Sequence, residues 1–248
     1  MNGPGAPVSL PPLELSLVIP TYNQRERTVR SAAQAMCWLE ERLSGRSELI
    51  VVDDGSRADE AVTPADLPAG VILVRQERNL GKGGAIRSGV SRARGAFVVF
   101  TDSDLPFSLD PIEVTLAILR DGADVVIGDR LHPGSSAGAA VGPLRRLSSA
   151  VYTWLVNHAL GLDYAYTQCG YKGYRAAAAH ALFGRLRVTS FAFDAELLLR
   201  AQAAGLRVVR QPVHLVHNED SSVSLRRHAP GMLWDVARLA WWRYRRTL

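Results

Sequence analysis

Ala96-Phe97-Val98-Val99-Phe100-Thr101 runs straight into Asp102-Ser103-Asp104. An unbroken apolar run of strand length, with Gly95 before it and acids after it, reads as a strand buried on both faces, as in a parallel sheet. Two carboxylates one residue apart at the mouth of such a strand can hold one hard divalent cation between them. Magnesium and manganese prefer oxygen ligands and commonly share them between protein carboxylates and a substrate's phosphates. The triplet therefore asks for a phosphate-bearing substrate. An Asp-x-Asp pair by itself is as readily a solvated loop or capping pair. Its place after a strand, with Pro106 following, favours the metal reading.

Outward from this stretch, apolar strands alternate with helical segments. Strands are expected at residues 13–20, 48–52, 71–75 and 123–127, and helices at 25–43, 82–94 and 111–120. That order predicts a single α/β domain, its sheet mostly parallel and covered by helices on both faces. The second half is less regular. It holds a Gly/Ser/Ala loop at 132–142, helices at 144–160 and 194–204, and a late strand at 208–216 whose Pro212 argues for a sheet edge. Hydrophobic residues make up 47% of the 248, ample for one core. The net charge of +5 suits an anionic substrate or an anionic membrane surface, and no nucleic-acid-binding motif accompanies it. Two isolated cysteines, Cys37 and Cys169, point to a reducing, cytoplasmic compartment and away from structural zinc. Residues 1–12, rich in Pro and Gly, read as a disordered lead without signal-peptide character. No apolar run approaches the roughly 20 residues a spanning helix needs.

Open parallel sheets bind ligands at the carboxyl ends of their strands. Here those ends are Pro20-Thr21-Tyr22-Asn23, Asp53-Asp54-Gly55-Ser56 and the acidic triplet. Neither a G-x-G-x-x-G nor a G-x-x-x-x-G-K-[ST] follows the first strand, which excludes the usual dinucleotide and P-loop signatures. Asp53 and Asp54 suit a base and ribose, whose N–H and hydroxyl groups donate to carboxylates; the alternative is an ordinary Asp-Gly turn. Asn79 to Ala85 (NLGKGGA) combines close-approach glycines, a helix N-terminus and Lys82, a set suited to phosphate; the alternative is a flexible helix start.

Taken together these pieces resemble the family-2 glycosyltransferases of GT-A fold. The match is closest to the branch making polyprenyl-phosphate sugars, the dolichyl-phosphate glucosyltransferases and mannose synthases. The residues that carry it are Val18 to Asn23, Asp53 to Ser56, Asn79 to Ala85, Arg94-Gly95 leading to Asp102-Ser103-Asp104-Leu105, Gly128-Asp129-Arg130, Thr167 to Lys172 (TQCGYK) and Phe193 to Leu197 (FDAEL). The resemblance implies that Pro20, Tyr22, Asn23 and Asp53 line the nucleoside site, with Asp54 and Lys82 nearby. It implies that Asp102, Ser103 and Asp104 form the donor and metal triplet, with Asp102 and Asp104 holding Mg²⁺ or Mn²⁺ against the donor diphosphate. Arg130 and one of Arg145 and Arg146, with Arg146 preferred, would face an acceptor phosphate. Asp194 matches the residue that serves as base for hydroxyl acceptors; the plainer alternative is a helix N-cap. Two departures stand out: Gln24 replaces the family's usual Glu, and Ser103 its commoner Ala. The late run 214–220 lacks the branch's expected residues, and His217 is open as an extra metal ligand.

From residue 227 to 248 the chain is a basic amphipathic helix, with Trp234, Trp241 and Trp242 set among Arg238, Arg243, Arg245 and Arg246. It suits a membrane interface. It equally suits a terminal helix packed on the domain. The resemblance thus implies an inverting, metal-dependent hexosyltransferase that takes UDP-glucose or GDP-mannose to a polyprenyl phosphate at the cytosolic membrane face. The alternative is a soluble transferase acting on a small hydroxylated metabolite.

Overall fold

The computed structural model describes residues 12–137, 143–164, 169–190, 192–216 and 225–245. Most of the expected N-terminal lead, the end of the 132–142 loop, Thr167, Gln168 and His217 lie outside the described residues. The strands are β1 (Leu15–Thr21), β2 (Ser47–Asp53), β3 (Ile72–Arg75), β4 (Phe97–Phe100), β5 (Val125–Asp129), β6 (Ser136–Ala137), β7 (Lys172–Arg175), β8 (Val208–Pro212) and β9 (His214–Leu215). The helices are α1 (Arg25–Leu43), α2 (Lys82–Val90), α3 (Pro111–Arg120), α4 (Pro143–Leu160), α5 (Ala176–Gly184), α6 (Phe193–Ala203) and α7 (Leu225–Tyr244).

Seven strands form one sheet in the order β3-β2-β1-β4-β7-β5-β8. All are parallel except β7, which runs antiparallel to both β4 and β5. Alternation along β1 divides the interior. Leu15, Leu17 and Ile19 join one apolar layer with Ala32, Ala35 and Leu39 of α1 and Ile112, Leu116 and Leu119 of α3. Val18 faces the other layer, built from α2, α4, α5, α6 and α7. Both sheet faces are thus covered, which is why the central strands are apolar throughout.

Three differences from the sequence expectations have local causes. The helix expected at 82–94 stops at Val90, after which the amides of Arg92 and Ala93 tighten to i→i−3 bonds with Gly89 and Val90 and the amides that follow are captured elsewhere. Arg94 N–H donates to Glu48 (2.7 Å), and Gly95 N–H donates to Ser16 Oγ (2.9 Å). The Arg94 side chain also donates twice to Glu48. Burial alone would raise the pKa of Glu48, but the bonds from Ser16 and Arg94 lower it. The late strand divides at Pro212: β8 closes the sheet edge, and β9 turns away to pair with β6. The antiparallel β7 and the helix α5 after it were not expected as such.

Candidate active site at the crevice between β1 and β4

β1 and β4 are paired only from Leu15↔Phe97 to Val18↔Phe100, whereas β1 continues beside β2 to Thr21↔Asp53. Strand order also reverses here, since β2 and β3 lie on one side of β1 and β4 on the other. A crevice at such a switch point is where open α/β sheets take their ligands. Asp102 and Asp104 follow β4 at this edge, Tyr22 follows β1, and Asp53 ends β2.

The acidic triplet is met by Lys82, the first residue of α2. Its Nζ lies 2.5 Å from Asp102 Oδ1, both groups partly exposed. Burial opposes the charge on Lys82, but Asp102, Asp194 and Asp104 together outweigh it and raise its pKa. For Asp104 the charged form is disfavoured instead: burial and the neighbouring charge of Asp102 raise its pKa. Two carboxylates that repel each other at the rim of a crevice are a site for positive charge. Gly170 closes the back of this site. A Cβ there would sit 1.9 Å from Asp102 Oδ2, so only glycine leaves the carboxylate its position. Gly170→Ala is therefore expected to fold and to lose activity by at least about tenfold, since misplacing a charged group by even 1 Å is costly. Steady-state kinetics beside a thermal melt measures it, and an unaltered kcat would show that Asp102 need not stay where it is.

Past Gly170, Lys172 opens β7 and is almost wholly buried, 1% exposed. Its Nζ donates to Asp194 Oδ1 (2.6 Å) and to Cys169 O (2.7 Å), and stands 5.6 Å from the Phe100 ring centroid. Asp194, the second residue of α6, is itself buried. Burial raises its pKa, and Lys172 and Lys82 pull it back in part. Asp194 is thus an ion-paired carboxylate and makes no N-cap hydrogen bond. Lys82, Asp102, Lys172 and Asp194 form an alternating set of charges drawn from α2, the turn after β4, β7 and α6. Glu196, two residues along, does structural work. It accepts from the amides of Arg187 and Val188 and from Arg200, fixing the loop before α6.

Other expected site residues turn out to hold the loops of the crevice. Asp53 is fully buried, and its two oxygens accept from the amides of Ser56 (2.8 Å) and Val62 (3.2 Å). Asp54 accepts from the amides of Leu80 and Gly81, both at 2.9 Å, tying the end of β2 to the start of α2. Asn23 sits in the left-handed region (φ 52°) and bridges to Ser56 and Arg57. Pro20 is buried in β1, past the end of its pairing with β4, where its missing N–H costs no ladder bond. Tyr22 is 45% exposed at the mouth. Three amides of Asn79 to Ala85 are taken within the protein. The amides of Leu80 and Gly81 are held by Asp54, and that of Gly83 donates to Thr189 O (2.9 Å). Those glycines serve packing: a Cβ at Gly81 or Gly83 would collide with Thr189 or Phe193. Lys82 is what this segment brings to the site.

The two departures from the family pattern meet each other. Ser103 Oγ donates to Gln24 Oε1 (2.9 Å) across the crevice, and Ser103 O accepts from Ser31 (2.7 Å). Arg130 follows β5, its guanidinium 4.9 Å from the Phe107 ring centroid. Arg146 lies on α4, its side chain outside the described residues. Cys169 is buried, and burial raises its thiol pKa, which leaves it inert. Sequence reasoning gave no role to Lys172, and it placed Ser103 in the donor triplet without foreseeing its bond to Gln24. The signal for the first was the lysine in an otherwise apolar Cys-Gly-Tyr-Lys run.

Comparison with known proteins places this geometry. Residues 16–183 match Glycosyl transferase family 2. A dolichyl-phosphate beta-glucosyltransferase of Trichomonas vaginalis is 30% identical over 85% of this chain and 66% of its own. The Drosophila melanogaster enzyme of that name is 34% identical over 77% of this chain and 64% of its own. The chain thus spans just under two thirds of the length of these relatives. Among solved structures, glucosyl-3-phosphoglycerate synthase from Mycobacterium tuberculosis in complex with uridine diphosphate superposes with a TM-score of 0.65 at 19% identity, covering 92% of this chain and 80% of that one. The mostly parallel sheet, the acidic triplet beyond β4 and the family match agree, and the chain belongs to glycosyl transferase family 2.

Proposed function

We propose that the chain is an inverting hexosyltransferase that moves glucose from UDP-glucose to a polyprenyl phosphate. The observation that carries the acceptor class is the 2.6 Å ion pair between Lys172 and Asp194. The pair commits one Asp194 oxygen to the Lys172 ammonium and holds the carboxylate in place, which suits a positioning role, although burial leaves its pKa raised. A hydroxyl acceptor needs a base, whereas a phosphate monoester, with a second pKa of about 6, is already largely dianionic at neutral pH. The names of the relatives favour UDP-glucose over GDP-mannose as donor.

In this reading the acceptor phosphate oxygen attacks the anomeric carbon as its bond to the diphosphate oxygen breaks, and the nucleoside diphosphate leaves from the opposite face. Tyr22 and the Asp53–Asp54 loop bound the nucleoside end. Lys82 supplies positive charge at the diphosphate, and Arg130, together with Arg146 on the strength of the family pattern alone, would offer forked donors to the acceptor phosphate's oxygens. Asp102 and Asp104 would hold Mg²⁺ or Mn²⁺. Among the described residues no group of three or more His, Cys, Asp or Glu is arranged for a metal. Two carboxylates are the share a protein offers when phosphate oxygens and water complete the shell. Such a cation would neutralise the departing diphosphate. Residues 13–226 serve as the transferase domain, and the terminal segment expected at 227–248 lies within and beyond α7 (Leu225–Tyr244). No described helix is long and apolar enough to cross a membrane, and we place the chain on the cytosolic face as a peripheral protein.

The test is transfer of radiolabelled sugar from UDP-glucose and GDP-mannose, with Mg²⁺ or Mn²⁺, into organic-extractable product on added polyprenyl phosphate. Labelled lipid supports the proposal, and metal-dependent donor hydrolysis without it favours the small hydroxylated acceptor. In the same assay Asp194→Asn, which keeps an oxygen for Lys172, is expected to lower kcat by less than about tenfold. A loss of the 10²–10⁴-fold typical of a missing general base would overturn the phosphate-acceptor reading.

A further inference from the structure

α7 has two unlike faces. Met232, Asp235, Val236 and Leu239, at helical spacing, are buried toward α4 and the core. On the opposite side, at 3.6 residues per turn, Trp234, Ala237, Trp241 and Tyr244 make a second stripe. Trp234 is 67% exposed, Trp241 55% and Tyr244 82%. α4, packed beside it, repeats the arrangement: Val156 and Leu160 point inward, while Val151 and Trp154 are 55% and 64% exposed. Large aromatic side chains so arranged are unusual on a surface that meets only water.

On α4 and α7 themselves the outward charge has one sign, while Asp163, three residues past the end of α4, is exposed. α4 carries no Asp or Glu, and the only one on α7, Asp235, is turned inward, where it accepts from Ser190 Oγ (2.6 Å) and Arg238 (3.2 Å). Arg245 lies 4.8 Å from the Trp241 ring centroid. Arg187 and Arg238 lie 5.1 and 4.9 Å from that of Trp242. Indole and phenol rings flanked by guanidinium groups, with no outward carboxylate on either helix, match the headgroup layer of an anionic bilayer, which takes amphipathic rings at its apolar boundary and cations at its phosphates.

We propose that the outer faces of α4 and α7 dock on an anionic lipid bilayer, lying in its interface without crossing it. The docked helices border the Asp194 end of the crevice. Ser190, bonded to Asp235 on α7, precedes α6 by three residues, and α6 carries Asp194. On the reading of a lipid-phosphate acceptor, to which this orientation adds, the acceptor's phosphate would enter from the membrane side while its chain stays in the bilayer.

The test is co-sedimentation of the full chain with vesicles of pure phosphatidylcholine and with vesicles containing about 30% phosphatidylglycerol, alongside tryptophan emission with brominated acyl chains as quencher. The expected result is binding that needs the anionic lipid, a blue shift, and quenching. A Trp234→Ser/Trp241→Ser variant should lower partitioning at least about tenfold, since it removes most of the aromatic contact. Its turnover on a short-chain, water-soluble prenyl phosphate should be unchanged. Absence of binding to the anionic vesicles, or equal binding by the variant, overturns the proposal. So does a concentration-dependent dimer that the same variant abolishes, which would give the face to a second copy of the chain. Vesicle binding without any lipid product would leave the docking face standing and remove the proposed acceptor.

Discussion

Asp104→Ala is expected to lower kcat on the order of 10³-fold while leaving the melting temperature unchanged or raised. The two halves of this result have one cause. Asp104 is desolvated at the end of β4 and repelled by Asp102, so its charge is held in the folded chain against a cost. Removing it relieves that repulsion. The same carboxylate would be half of what the protein offers a divalent cation, and that cation would neutralise the leaving diphosphate; losing such a stabiliser is worth ~10²–10³ or more in rate. Radiolabel transfer beside a thermal melt checks both. Residual activity above a tenth of the parent's would remove Asp104 from the mechanism, and a large fall in melting temperature would make its role structural.

Lys172→Met carries the largest expected effect on stability, a loss of ~3–5 kcal/mol. The substitution leaves Asp194 buried without its ammonium and Cys169 O without its donor. Breaking one side of a buried pair costs more than removing both, so Lys172→Met/Asp194→Leu is expected to recover most of the loss, though not the activity. Denaturant midpoints for the two variants and the parent give the comparison. A single variant within ~1 kcal/mol of the parent would mean that water already reaches Asp194.

The strands and helices of the first half were legible because each is a contiguous apolar or amphipathic run closed by Gly, Pro or Asp. α1 and α3 fall where their periodicity puts them. β7 was obscure because Lys172 and Gly173 break its apolar pattern. Each has a partner far away in sequence: Asp194 for the lysine, and the Thr115 methyl against which Gly173 packs. The acidic triplet and Lys82 were legible as charges beside strand ends, and the structure brings them together. Asp53 and Asp54 were legible as residues of the crevice, but what their oxygens bind was not. That depends on which amides the α2 loop and the loop after β2 present, a matter of tertiary geometry. The C-terminal helix carried two readings, packed or membrane-facing. Its two faces give the packed reading the inner stripe and leave the outer one for the proposed membrane contact.

The reversed direction of β7 bears on how the chain folds. Among the described residues β5 pairs only with β7 and β8, both of which follow it in the chain. Until residue 175 has been made, a nascent chain can join β1, β2, β3 and β4, but the far edge of β4, Phe97–Phe100, stays open and β5 has no place in the sheet. An uncovered apolar edge is a template for pairing with other chains. Fragments ending near residue 160 should therefore aggregate, and those extending through α5 should be the first to remain in solution. The family match ends at residue 183, within one residue of that helix's end.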